Sequence, residues 1–386
     1  MMIAPAERLI DTKEYYFSLK LKEIAKMRQQ GTDVINLGIG SPDLAPSQAT
    51  IDALIQSAKN PKSHGYQTYQ GILEFRKAFA DKYKSLYNVD LNPDNEILPL
   101  LGSKEGIMHT SLTFINPGDE VLVPNPGYPT YSSVARLVGG KVRYYDLLEK
   151  NNWYPDWQAL ENQDLSNVKV MWLNYPNMPT GAPATHAVFE NAIKLAHKYK
   201  FLIVHDNPYS SILNHNQLSI LTYAGGKEVA LELNSMSKSH NMAGWRVGLV
   251  VGHHEYIQSI LKVKSNIDSG TFLPIQHASV AACHNSAEWH TEQNAIYSRR
   301  RDIIWQILDH IGAAYDHGQV GMFVWARIPK KYKNSEELTE HYLQKCHVFI
   351  TPGFIFGSNG EGYLRVSVCS EEAQFTEALK RIKERG

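Results

Sequence analysis

An α/β architecture is what the sequence predicts: a mostly parallel sheet wrapped by helices, followed by a smaller α+β unit. Three observations carry this reading. Short apolar runs at 96–101, 120–123, 168–173, 201–204, 230–233 and 247–251 read as strands buried on both faces. Amphipathic stretches such as 187–199 lie between them, which is the alternation expected of a parallel sheet covered by helices. After about Gln276 the pattern changes to a long helix with Ile296, Ile303, Ile307 and Ile311 on one stripe, followed by a mixed segment to Gly386.

Composition narrows the function classes. The 386 residues suffice for a large core or two domains, and 39 basic residues balance 39 acidic ones, so no electrostatic nucleic-acid binder is expected. Cys283, Cys346 and Cys369 form no C-x-x-C pair, which suits ordinary thiols in a reducing cytoplasm. Glu7, Arg8 and Asp11 interrupt the N-terminus where an export signal would be apolar, and no run approaches a membrane span. A cytoplasmic protein with neither membrane nor nucleic-acid partner is expected.

The chemistry concentrates between Asn234 and Gly248. There Lys238 stands among the hydroxyls of Ser235 and Ser237, and Arg246 follows. An amine so placed can condense with an aldehyde, while the hydroxyls and the guanidinium fork can hold a phosphate; together they describe a pyridoxal phosphate site. A lone lysine is ordinarily a solvated surface residue, so the rest of the chain must supply the other parts. Leu101, Gly102, Ser103 and Lys104 read as a strand end, a glycine turn and a helix start, whose free N–H groups suit a phosphate. The apolar run 201–204 leads to Asp206, a carboxylate at a strand end that can pair with a pyridine nitrogen and keep it protonated. Gly38-Ile39-Gly40-Ser41-Pro42 lacks the third glycine of a dinucleotide fingerprint. No metal ligand set is expected.

Over nearly its whole length the chain resembles the class I aminotransferases of the fold-type I pyridoxal phosphate enzymes. Ser235, Lys238 and Arg246 fall at offsets of minus three, zero and plus eight in the lysine motif. Residues 237–245 and 264–270 are most similar to the branch holding alanine and LL-diaminopimelate aminotransferases. The resemblance implies a seven-stranded sheet, an arm over residues 1–45, a large cofactor-binding domain over 46–280, and a connecting helix with a small domain over 281–386. It places Tyr128 against the pyridine ring, Tyr209 at the phenolic oxygen and Arg365 on the substrate α-carboxylate. It gives Gly40 a backbone contact to substrate, and sets Tyr66 on the cofactor phosphate of a neighbouring subunit, hence a homodimer. One position departs from the family: Met178 stands where an asparagine precedes Pro-Thr-Gly. Asn177, or else Asn174, is expected to take over its contacts to cofactor and substrate.

The activity implied is amino transfer between an L-amino acid and a 2-oxo acid by a ping-pong mechanism, with Lys238 moving the α-proton. A C–S lyase, decarboxylase or synthase on the same fold would use the same Lys238 and Asp206. A transcription regulator with such a module needs a further domain, for which the roughly forty residues before Gly38 are too few.

Overall fold

The computed structural model describes residues 3–9 and 16–386; Asp11, within the expected arm, lies outside them. Strand β1 (Ile35–Asn36) is followed by seven strands that form one sheet: β2 (Ile97–Leu100), β3 (Glu120–Asn125), β4 (Lys141–Asp146), β5 (Val168–Leu173), β6 (Leu202–Asp206), β7 (Ala230–Ser235) and β8 (Gly248–Gly252). Their order is β2-β8-β7-β6-β5-β3-β4, and β8 alone runs against the other six. Side-chain alternation divides each central strand between two cores. Val170, Trp172, Val204, Leu231 and Leu233 enter one apolar cluster, whereas Met171, Leu173, Ile203 and Leu249 enter the other. Burial on both faces explains why these strands read as continuous apolar runs. The seventh strand, β4, escaped that reading because it is an edge strand of polar composition, Lys-Val-Arg-Tyr-Tyr-Asp, paired only to β3.

Helices cover both faces. Helix His186–Tyr199 begins where Thr185 accepts a hydrogen bond from Val188 N–H, and ends at Lys200 in the left-handed region, φ 59°. Helix Ser103–Phe114 starts at Gly102, φ 89°, directly after β2.

A second body of structure follows. Strands β9 (Ala314–Tyr315), β10 (Phe323–Arg327), β11 (Val348–Phe349), β12 (Thr351–Pro352) and β13 (Tyr363–Ser367) build an antiparallel sheet β12-β13-β10-β9 and a parallel pair β1-β11. The long helix Ala287–Ile311 packs on this body through Tyr297, Arg300, Ile304, Ile307, Leu308 and Ile311. The expected stripe is thus rotated: Ile307 and Ile311 belong to it, but Ile296 and Ile303 sit at its margin, since a 3.6-residue period carries the buried face through 297, 300 and 304. Arg300, unexpected on such a face, is paired through both guanidinium nitrogens with Asp43, at 2.7 and 2.8 Å. Together with Leu37 N–H bonded to Phe349 O at 2.9 Å, this pair ties residues 36–43 to the second body. No helix among the described residues is long and apolar enough to cross a membrane.

Ile304 is completely buried. Ile304→Ala is expected to lower unfolding free energy by about 2–5 kcal/mol, measured by urea titration, with the absorbance of bound cofactor unchanged.

Candidate active site

The carboxyl ends of β5, β6 and β7 point to one place, and the loops leaving them line a cavity of about 590 Å³. Ligands gather at such strand ends because loops and helix N-termini there present unpaired backbone groups. Gly40, Ser103, Lys104, Tyr128, Asp206, Tyr209, Ser235, Ser237, Lys238, Arg246 and Arg365 all line it.

Lys238 lies on the single helical turn Met236–Ser239 that follows β7. Ser235 caps this turn, its Oγ accepting from Ser237 N–H at 3.1 Å. Burial holds the Lys238 amine below its ordinary range, with Arg365 and Arg246 adding to that effect. Its Nζ donates to the carbonyl of Gly40, which joins the N-terminal segment to the site. Arg246, in the left-handed region at φ 58°, donates to Ala243 O and Leu101 O at 2.9 and 3.2 Å. That position sets its guanidinium against Gly102, where a Cβ would stand 2.0 Å from Nη2. Gly248 has the same restriction, since its Cβ would fall 2.6 Å from Ser103 N. Two glycines thus let the Ser103 helix start, Arg246 and β8 converge at one part of the cavity wall.

Asp206 ends β6. Its Oδ2 accepts from the Tyr131 hydroxyl at 2.7 Å, and its Oδ1 is buried without a partner among the described residues. Burial raises its pKa to about 6, against the lowering effects of Tyr131 and His205. Asn174 Nδ2 donates to the Asp206 carbonyl at 2.7 Å and fixes the strand end. Tyr128 meets Tyr131 edge-on, and Tyr209 meets Phe323 likewise.

Arg365, on β13, is 7 % exposed and has no carboxylate partner among the described residues. Its guanidinium lies between the rings of Phe323 and Phe356, with the carbon 4.0 and 4.6 Å from their centroids. Nη2 donates to Gly38 O at 2.9 Å, Nη1 meets Met178 Sδ at 3.4 Å, and Nε has no partner among the described residues. Burial pulls its pKa down to about 10. A desolvated guanidinium with spare donors is a receptor for a carboxylate.

Two expectations change, those for Asn177 and Gly102. Asn177 does not line the cavity: its Nδ2 donates to Asn174 O at 3.1 Å and its Oδ1 accepts from Thr180 N and Oγ1, so the side chain closes its own turn. Asn174 and Met178 line the cavity instead. Tyr66, expected at the phosphate of a neighbouring subunit, is 93 % exposed and outside the cavity of its own chain, and that expectation stands as it was. Gly102 stands behind the cavity wall as the spacer for Arg246 rather than in its lining. Tyr131, Phe323 and Phe356 were not anticipated. For Tyr131 a signal existed, three residues after Tyr128 on one helical face; for the two phenylalanines, which come from distant segments, none did.

This constellation of a partly buried amine, a strand-end carboxylate, an anion cradle and a buried arginine defines a pyridoxal phosphate enzyme that handles carboxylate substrates. Comparison with known proteins gives the family. The aminotransferase class I and II family profile matches residues 32–382, and the chain belongs to that family. It is 40 % identical over 380 residues to an LL-diaminopimelate aminotransferase of Halothermothrix orenii, covering 98 % of this chain and 97 % of the relative. Among solved structures, apo-BacF of Bacillus subtilis superposes with a TM-score of 0.95 at 34 % identity, over 100 % of this chain and 98 % of the other. A probable N-succinyldiaminopimelate aminotransferase of Thermus thermophilus gives 0.88 at 32 %, over 95 % and 99 %. The protein is a pyridoxal-phosphate-dependent aminotransferase of the branch that holds the alanine and LL-diaminopimelate enzymes, and its substrates are small amino and oxo acids. The residues present fit the cofactor, because the orphaned Oδ1 of Asp206 can meet a pyridinium and the glycine-spaced part of the cavity wall can accept a phosphate.

Gly102→Ala would press a methyl group on Arg246 at a backbone φ of 89°. Strain of about 1–3 kcal/mol should weaken cofactor binding roughly tenfold to a hundredfold, read by titrating the apoenzyme with pyridoxal phosphate.

Proposed function

We propose that Lys238 is the residue that holds the cofactor covalently and then moves the substrate α-proton, with Asp206 as the partner of the ring nitrogen and Arg365 as the anchor of the α-carboxylate. The observation that supports this reading is that these three side chains, separated by 32 and 127 positions in sequence, line one cavity. The backbone N–H groups at Ser103 and Lys104, the hydroxyls of Ser235 and Ser237, and Arg246 would hold the phosphate. Tyr128 would cover the ring, and Tyr209 would reach its phenolic oxygen, where Met178 offers only a thioether, a weak acceptor and no donor. When bound, the cofactor supplies an electron sink for the carbanion left at Cα.

The chain's own groups do the remaining work. Asp206 keeps a negative charge beside the ring nitrogen, and a cation there favours the ionised form that burial alone disfavours. Arg365, pinned between two rings, fixes the α-carboxylate and so the direction of the Cα–H bond. Lys238, whose amine burial holds below its ordinary range, gives up its own proton more readily and so offers a base for that proton. Gly40, tied to Lys238 through its carbonyl, closes the substrate side.

Further parts of the reading rest on family likeness. LL-diaminopimelate is the proposed amino donor, supported by relatives of that name at 38–40 % identity over 98 % of this chain. The proposed unit is a cytoplasmic homodimer in which the exposed Tyr66 reaches the phosphate of the partner. A division into an arm over residues 1–45, a cofactor domain over 46–280 and a small domain over 281–386 is supported by the separate apolar clusters of the two bodies.

Half-reactions test the substrate. Holoenzyme mixed separately with LL-diaminopimelate, L-alanine, L-glutamate and L-phenylalanine should lose the visible band of the aldehyde form fastest with LL-diaminopimelate and release the matching 2-oxo acid. A faster reaction with another donor replaces the substrate and leaves the class intact; release of a lyase or decarboxylase product in place of the oxo acid overturns the transfer reading.

A further inference from the structure

A second cavity, of about 620 Å³, opens between helices Leu73–Tyr87, Leu273–Cys283 and Ala287–Ile311 and the loop 211–217. It lies behind the turn that bears Lys238. Lys82 is the lysine on its wall, its amine held below the ordinary range by burial; Asp81, the carboxylate of the same wall, is exposed and makes no ion pair with it. Its Nζ donates to His240 Nε2 at 2.8 Å. An ammonium is donor only, so Nε2 must be the lone-pair nitrogen and Nδ1 carries the proton that meets Ser239 Oγ at 2.7 Å. Burial, then Lys82 and His290, hold His240 far below its usual range, and burial holds His290 at about 4, so both imidazoles are neutral. The Cys283 thiol, pushed up by burial to about 11, is neutral too. Among the described residues Lys82 therefore has one neutral partner and two unmatched N–H donors, a costly arrangement for a partly buried charge.

Two other groups in the wall are incomplete. Gln217 Oε1, an acceptor, and Asn285 Nδ2, a donor, are buried without partners among the described residues. A cation, a donor and an acceptor left open around one cavity complement a ligand that carries a carboxylate and an ammonium together. We propose that this cavity binds a small amino acid, its carboxylate on Lys82 and Asn285 and its ammonium on Gln217, apart from the substrate site. Occupancy reaches the catalytic turn through a continuous chain: Lys82 donates to His240, His240 to Ser239, and Ser239 Oγ to Ser235 O at 3.2 Å. A ligand that draws Lys82 toward its carboxylate loosens the first link of that chain, two residues from Lys238.

Glycine is the probe, added to holoenzyme with 15N-labelled histidine. The ring signals of His240 and His290 should shift saturably in the wild type and in Arg365→Lys with the same Kd, which separates this cavity from the substrate site. Lys82→Met should weaken that binding at least tenfold without lowering Tm, since it removes an unpaired charge. Asn285→Ala, on a different element, should also weaken it, and serves if Lys82→Met does not fold. Acetate, lacking the ammonium, should bind at least tenfold more weakly than glycine. Absence of a saturable shift, an equal Kd in both wall variants, equal binding of acetate, or loss of the response in Arg365→Lys would overturn the proposal.

Discussion

Asp206 ends a strand whose five residues are all buried, and desolvation there raises its carboxyl to about 6 while Oδ1 is left without a partner among the described residues. A buried carboxylate in that condition is unfavourable until a cation meets it. Much of the surrounding structure sets the direction from which the cation must come. Tyr131, stacked on Trp172 with centroids 4.9 Å apart, occupies Oδ2 and is itself locked in the sheet-face core. Asn174 holds the Asp206 carbonyl, so the strand end cannot turn away. What remains without a partner among the described residues is one oxygen, on a residue that lines the same cavity as Lys238.

The cationic side of the site shows the same economy of partners. Arg365 is buried and Lys238 partly buried, and neither has a carboxylate among the described residues; each donates to a carbonyl of the segment 36–43, Gly38 for the arginine and Gly40 for the lysine. That segment is held in turn by Arg300 on Asp43 and by the β1-β11 pair. Removing the Arg300–Asp43 pair would therefore act at a distance, by freeing the carbonyls on which two site cations rest. The aromatic sandwich of Phe323 and Phe356 keeps the guanidinium plane fixed while leaving Nε open.

Much of this was legible in the sequence, for local reasons. Lys238, Ser235 and Arg246 sit within twelve residues of one another, and Asp206 closes an apolar run, so spacing and strand position suffice to single them out. β4 was missed because an edge strand need not be apolar, and the helix stripe was misplaced by one residue because Arg300, a buried charge with a distant partner, interrupts its apolar pattern. Nothing in the sequence separates Asn177 from Asn174; the loop directs Asn177 toward Thr180, and Asn174 lines the cavity. The Lys82–His240 contact spans 158 positions and has no local signature at all.

The central claim is that one particular amine, Lys238, meets the cofactor. Reduction of the holoenzyme with borohydride, followed by peptide mass mapping, tests it most directly. The account predicts the reduced pyridoxyl group on the peptide containing Lys238 and on no other; its appearance on Lys104, Lys264 or any other lysine in place of Lys238 would contradict it.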